Sequence, residues 1–104
     1  MTFVSEFSLD LIRSSRPDKV FLSAAGLDEE FGITCINPYE GPFKRALIKS
    51  AREKILLVDS SKFGRVEACY FGDFDQIDTI ITDSNLDPDW IEKIREKNIK
   101  LIMV

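Results

Sequence analysis

The sequence predicts an α/β fold, an open and mostly parallel sheet flanked by helices in three layers. Three observations carry that prediction. Four short apolar runs recur along the chain: Val20-Phe21-Leu22, Ile55-Leu56-Leu57-Val58, Thr79-Ile80-Ile81-Thr82 and Leu101-Ile102-Met103-Val104. None alternates apolar with polar residues, which is the pattern of strands covered on both faces of a parallel sheet. Segments with helical spacing separate them, and strands joined by helices bring right-handed crossovers and a doubly wound sheet.

Taken in chain order, a first and weaker helix is predicted from Phe7 to Ser14, ending before Arg16-Pro17. After the strand at Val20, the stretch from Gly26 to Pro38 reads as a long strand-to-helix connection. Phe43, Leu47 and Ala51 then recur at i, i+4 and i+8, with Ala46 beside them, as the apolar stripe of a helix. Lys44, Arg45, Lys49 and Arg52 fall on its other faces, and Gly41-Pro42 suits its entrance. Asp59 to Arg65 forms the turn after the second apolar run. Val66 to Phe71 shows some alternation and reads as an antiparallel or edge strand. Asp87-Pro88 is an N-cap followed by proline at the first helical position. In the helix that follows, Trp90, Ile91 and Ile94 point inward while Glu92, Glu96 and Lys97 face water.

Composition narrows the function. A chain of 104 residues makes one domain and buries roughly two-thirds of its unfolded surface. Hydrophobic residues at 44% and charged residues at 31% are ordinary for a soluble globular protein, and eight Phe predict an aromatic core. The formal charge of -4 argues against this piece gripping nucleic acid alone, since that binding neutralises phosphates. The absence of His excludes a Ser-His-Asp triad, a Cys-His pair and a His-containing zinc site. Cys35 and Cys69 form no CxxC spacing, so no metal site is expected and the protein reads as reduced and cytoplasmic. The N-terminus lacks a signal-peptide pattern, and no apolar stretch approaches the ~18–20 residues of a membrane span. No GxGxxG, GxxxxGK[ST] or GxSxG motif is present, so no cofactor is predicted.

Ligands of open α/β sheets gather at the carboxyl ends of the strands. In the Gly26–Pro38 segment, Asp28 and Asn37 suit hydroxyl groups of a polyol, while Gly26 and Gly32 let backbone approach a ligand. The same residues also suit plain turns. Glu40 and Lys44 stand at a helix start, where anions are favoured. Lys62 is an anion contact at a strand end, or a partner of Asp59. A phosphoacceptor receiver domain is excluded, because Ala24-Ala25 stands where an acidic pair is needed.

Asp18-Lys19-Val20-Phe21-Leu22-Ser23-Ala24-Ala25-Gly26-Leu27-Asp28 resembles the D-x-x-F-x-x-x-x-G-[IL]-D segment of DeoR-type bacterial transcription regulators. Gly32-Ile33-Thr34, Asn37, Glu40, Lys44-Arg45, Asp59-Ser60-Ser61-Lys62-Phe63-Gly64 and Ile77 to Asp83 continue the pattern over essentially the whole chain. The resemblance implies a Rossmann-like sensor domain, related in fold to ribose-5-phosphate isomerase and glucosamine-6-phosphate deaminase. It implies a small phosphorylated sugar as effector, held by Gly26, Asp28, Gly32, Asn37, Glu40, Lys44 and Lys62. It further implies a homo-oligomer that meets DNA only through a winged helix-turn-helix, which residues 1–104 do not contain, and a sensor lacking its first part. Ser5 and Gly41 depart from the usual Gly and Ala of that pattern. An isomerase is the rival reading, with Asp28, Glu40 and Lys62 as its groups. Against it, Ala25 replaces one acidic residue of the isomerases, and Phe31 to Ile36 replaces their Lys-Gly-rich run. A purely structural oligomerisation domain is the third reading.

Overall fold

The computed structural model describes residues 17–104, so the helix expected over Phe7–Ser14 lies outside the described residues. Seven strands and two α-helices follow: β1 (Lys19–Leu22), β2 (Gly26–Asp28), β3 (Gly32–Cys35), α1 (Glu40–Ser50), β4 (Glu53–Leu57), β5 (Cys69–Gly72), β6 (Thr79–Thr82), α2 (Pro88–Glu96) and β7 (Lys100–Met103). The four predicted apolar runs become β1, β4, β6 and β7, a parallel sheet in the order β1-β4-β6-β7. Its register aligns Leu22, Leu56, Ile80 and Leu101 across one face. Leu56 and Ile80 are fully buried there, each contributing roughly 1.5–3 kcal/mol of burial. Coverage of the two faces is unequal, since Phe21 and Leu57 on the other face stay 60% and 43% exposed.

The long connection expected between Gly26 and Pro38 is instead a hairpin. Asp28 Oδ2 accepts from the N–H groups of Glu30 and Phe31, both at 2.9 Å, and so closes the turn. Gly32 follows at φ 78°, a conformation suited to glycine. The hairpin sets Leu27 opposite Ile33, and both are fully buried. The antiparallel strand anticipated near Val66–Phe71 begins later, at Cys69, and pairs with β3. Strands β2, β3 and β5 thus make a second, three-stranded antiparallel sheet.

Helix α1 packs against β5, β1 and β3 together, which widens its buried surface. Ala46, Ile48, Ser50 and Ala51 are buried, whereas Phe43 and Leu47 of the expected stripe are half-buried. Lys44, expected on a polar face, is only 9% exposed. Its ammonium can enter because the Ser23 carbonyl accepts from it at 2.7 Å and the Phe71 ring lies 5.0 Å away. Helix α2 begins as predicted, with Asp87 accepting from the Asp89 N–H at 2.8 Å and Pro88 in the first turn. Asn98 at φ 61° turns the chain into β7. Trp90 lies against Phe63 and Phe74, at centroid distances of 5.3 and 6.0 Å. Among the described residues, no helix is long and apolar enough to cross a membrane.

Candidate functional site

A cavity of ≈ 270 Å³ opens at the carboxyl ends of β1 and β3. Ser23, Ala24 and Ala25 bring β1's end to it, and Cys35, Ile36 and Asn37 bring β3's. Glu40 and Lys44 from the first turns of α1, with Lys62 from the turn after β4, complete the lining. Parallel pairing of β1 with β4 delivers those two carboxyl ends to one side of the molecule.

Its two lysines are held very differently. Lys44 donates to the Ser23 carbonyl, sits 3.8 Å from the Glu40 carboxylate and covers the Phe71 ring. Lys62 has a looser hold: Asp59 Oδ2 lies 4.0 Å from its Nζ, and the side chain is 32% exposed. A contact at that distance, open to water, contributes little to stability and leaves the ammonium able to meet an anion.

Carboxylates position this turn. Asp59 accepts from the hydroxyl and N–H of Ser61, and the hydroxyl contact chiefly holds its carboxyl below the usual range. Asp83, at the end of β6, accepts from the Ser60 N–H at 2.8 Å and from the Asn85 N–H at 2.9 Å. These bonds, the one from Ser60 foremost, also lower its pKa. At the other wall, Asn37 Oδ1 accepts from the Tyr39 N–H at 2.9 Å, while the Asn37 carbonyl accepts from the Glu40 N–H at 3.1 Å.

The family described as the DeoR C terminal sensor domain matches residues 1–84. This chain belongs to that family. Over 86 residues the sensor domain is 35% identical to the deoxyribose operon repressor of Escherichia coli K12, covering 83% of this chain and 34% of the repressor. It is 33% identical to the glycerol-3-phosphate regulon repressor of E. coli K12, covering 78% and 32%. To the HTH-type transcriptional regulator GlpR of Haloferax volcanii the identity is 34%, covering 82% and 33%. The chain therefore spans about a third of the length of these curated relatives. All three are named as regulators or repressors of transcription, not as enzymes.

Of the predicted effector residues, Asn37, Glu40, Lys44 and Lys62 meet around the sensor domain's cavity. Gly26, Asp28 and Gly32 lie outside its lining. A Cβ on Gly26 would stand 2.5 Å from the Arg65 carbonyl oxygen, and one on Gly32 would stand 2.7 Å from that of Gly72. Asp28 closes the hairpin turn. Sequence reasoning missed Ser23, whose carbonyl anchors Lys44, and Asp83, which holds the turn carrying Lys62. Asp83's place at a strand's carboxyl end was the available signal. Ser23 offered none, because its contribution is a backbone carbonyl. Among the described residues, no group of three or more His, Cys, Asp and Glu is arranged to hold a metal ion.

Proposed function

We propose that the domain senses a small phosphorylated sugar or polyol bound in the cavity between β1, β3 and the turn after β4. The observation that carries this reading is the convergence there of Lys62 and Lys44 with Asn37 and Glu40. Lys62 meets the phosphate, because its ammonium is loosely held and partly exposed. Asn37 and Glu40 orient hydroxyls. Lys44 supports the wall and adds positive potential, since it is buried and one of its N–H groups already serves the Ser23 carbonyl. The names of two relatives, which refer to deoxyribose and to glycerol 3-phosphate, favour a small polyhydroxylated effector.

In this reading the domain works in the cytoplasm as part of a homo-oligomeric transcription regulator. A winged helix-turn-helix elsewhere in that regulator meets DNA. The effector favours one arrangement of the sensors and so alters the fit of the paired DNA-binding units, which requires unequal affinity for the two arrangements. An isomerase is disfavoured because Asp28, one of its proposed groups, is engaged by two backbone N–H groups outside the cavity.

Thermal melting with a panel of sugar phosphates, each beside its unphosphorylated parent, tests the proposal. Ligand at ~100 times its dissociation constant adds about 2.7 kcal/mol, a shift of roughly 10 °C or more in so small a domain. A shift with one phosphosugar, absent for its parent and lost in Lys62→Ala, is the expected result. A panel without effect on this chain and on the intact regulator overturns the reading.

A further inference from the structure

Beyond the effector site, the pairing of β3 with β5 sets the two cysteines of the chain directly opposite each other, Cys35 against Cys69. Opposed residues of an antiparallel pair share one face, with Cα atoms about 4.5–5.5 Å apart, inside the ~4.4–6.8 Å span of disulfides. Their Cβ atoms, about 4.5–5.5 Å apart by the same geometry, need to approach by only about 1 Å to reach disulfide spacing. Both sulfurs turn toward one short stretch of backbone: Cys35 Sγ lies 3.5 Å from the Asn37 carbonyl oxygen, and Cys69 Sγ 3.9 Å from that of Ile36. Among the described residues strand β5 is an edge of its sheet, and its register with β3 is irregular at Ile33/Thr34. It therefore has room for the small adjustment.

We propose that Cys35 and Cys69 are a reactive pair that closes reversibly into a cross-strand disulfide, a thiol-oxidation site in the wall of the cavity. The two thiols divide the work. Cys69 is partly exposed, whereas Cys35 is buried, and its burial pushes the thiol pKa up. Cys69 is thus the first to react.

A low-molecular-weight disulfide of the glutathione type is the oxidant. The Cys69 thiol loses its proton to solvent, and its sulfur attacks one sulfur of the oxidant. The oxidant's S–S bond breaks, and one small thiolate leaves and takes up a proton. Cys35, deprotonated in turn, attacks the Cys69 sulfur of the mixed disulfide and expels the second small thiol. Two electrons pass from the protein pair to the oxidant, which ends as two thiols. Closure removes the Cys35 thiol donor from the Asn37 carbonyl and ties the end of β3 to β5.

Incubation of the chain with oxidised glutathione, followed by alkylation, intact mass measurement and peptide mapping, decides the matter without any sugar ligand. The expected product is a monomer lighter by two hydrogens, with the Cys35 and Cys69 peptides joined and both thiols recovered on reduction. Cys35→Ser should stop at a stable glutathione adduct on Cys69, and Cys69→Ser should leave Cys35 largely unmodified. A wild-type chain that retains the adduct, links to a second chain or keeps both thiols free overturns the proposal. The wild-type mass alone distinguishes these results, so a variant that fails to fold leaves the test intact.

Discussion

The hairpin from Gly26 to Cys35 and the cavity wall from Cys35 to Lys44 are adjacent in sequence and carry similar polar residue types, yet they use them differently. In the hairpin, the Asp28 carboxylate closes a turn and both glycines admit neighbouring backbone. In the wall, Asn37, Glu40 and Lys44 gather around open space with Lys62. Residue type does not separate the two. What separates them is the direction of the chain: the hairpin folds back to build a second sheet, and only its far end returns to the carboxyl end of β1. Substitutions in the hairpin should therefore change stability, while those in the wall should divide between stability and binding.

The largest effect should come from Gly32→Ala. The left-handed conformation adds about 1–2 kcal/mol of strain, and the Cβ would stand 2.7 Å from the Gly72 carbonyl oxygen and 2.9 Å from the Tyr70 ring. With overpacking included, a loss of about 3 kcal/mol is expected in urea unfolding. Gly26→Ala should follow at ~1–3 kcal/mol, because the Arg65 backbone at 2.5 Å must move. Neither should alter effector affinity of the folded fraction. A selective loss of affinity in either would place the hairpin in the site and break the contrast.

Lys44 tests the boundary between the two regions. Replacement by Met keeps the stem but removes the donor to Ser23 and leaves Glu40 without this partner. The expected loss is about 2 kcal/mol, mainly from the charge-assisted hydrogen bond to the Ser23 carbonyl. A fall in affinity with unchanged stability would instead make Lys44 a ligand contact only.

Legibility in the sequence follows the range of the forces involved. Strands β1, β4, β6 and β7 were readable because each carries its own apolar run, and α2 because Asp87-Pro88 marks its start locally. Strand β2 was not, since three residues with Leu27 as their one large apolar side chain give no period to read. The burial of Lys44 depends on a carbonyl 21 residues away, which no local pattern announces. For the candidate site, the strand-end rule picked out Asn37, Glu40, Lys44 and Lys62, which line one cavity, while Gly26, Asp28 and Gly32, taken from the same segment, fall in the hairpin outside that lining.

Lys62→Ala should change stability by no more than ~0.5 kcal/mol, given its exposure and the 4.0 Å contact with Asp59. In the proposed function its effect belongs to binding. Loss of a charge-assisted contact to phosphate should weaken the effector by roughly tenfold or more, measured by calorimetric titration. This pairing of near-normal stability with weakened binding is the opposite of that expected for the hairpin.

The smallest expected effect is a pH dependence at Asp83, which ties the turn carrying Lys62 to the end of β6. Its pKa in the folded domain is lowered from 3.8, chiefly by the Ser60 N–H. A carboxyl with a depressed folded pKa binds protons more weakly in the native state than in the unfolded one. Its stabilising contribution is therefore full above the unfolded value and fades as pH falls below 3.8 through the folded pKa. Asp83→Asn should lack this component, so its unfolding midpoint should decline less steeply than the wild type's in that acid window. The two slopes should agree at neutral pH, where both forms are independent of this proton. Parallel curves throughout would mean that Asp83 contributes nothing electrostatic to the turn, and that Lys62 is positioned by Asp59 and its local hydrogen bonds instead.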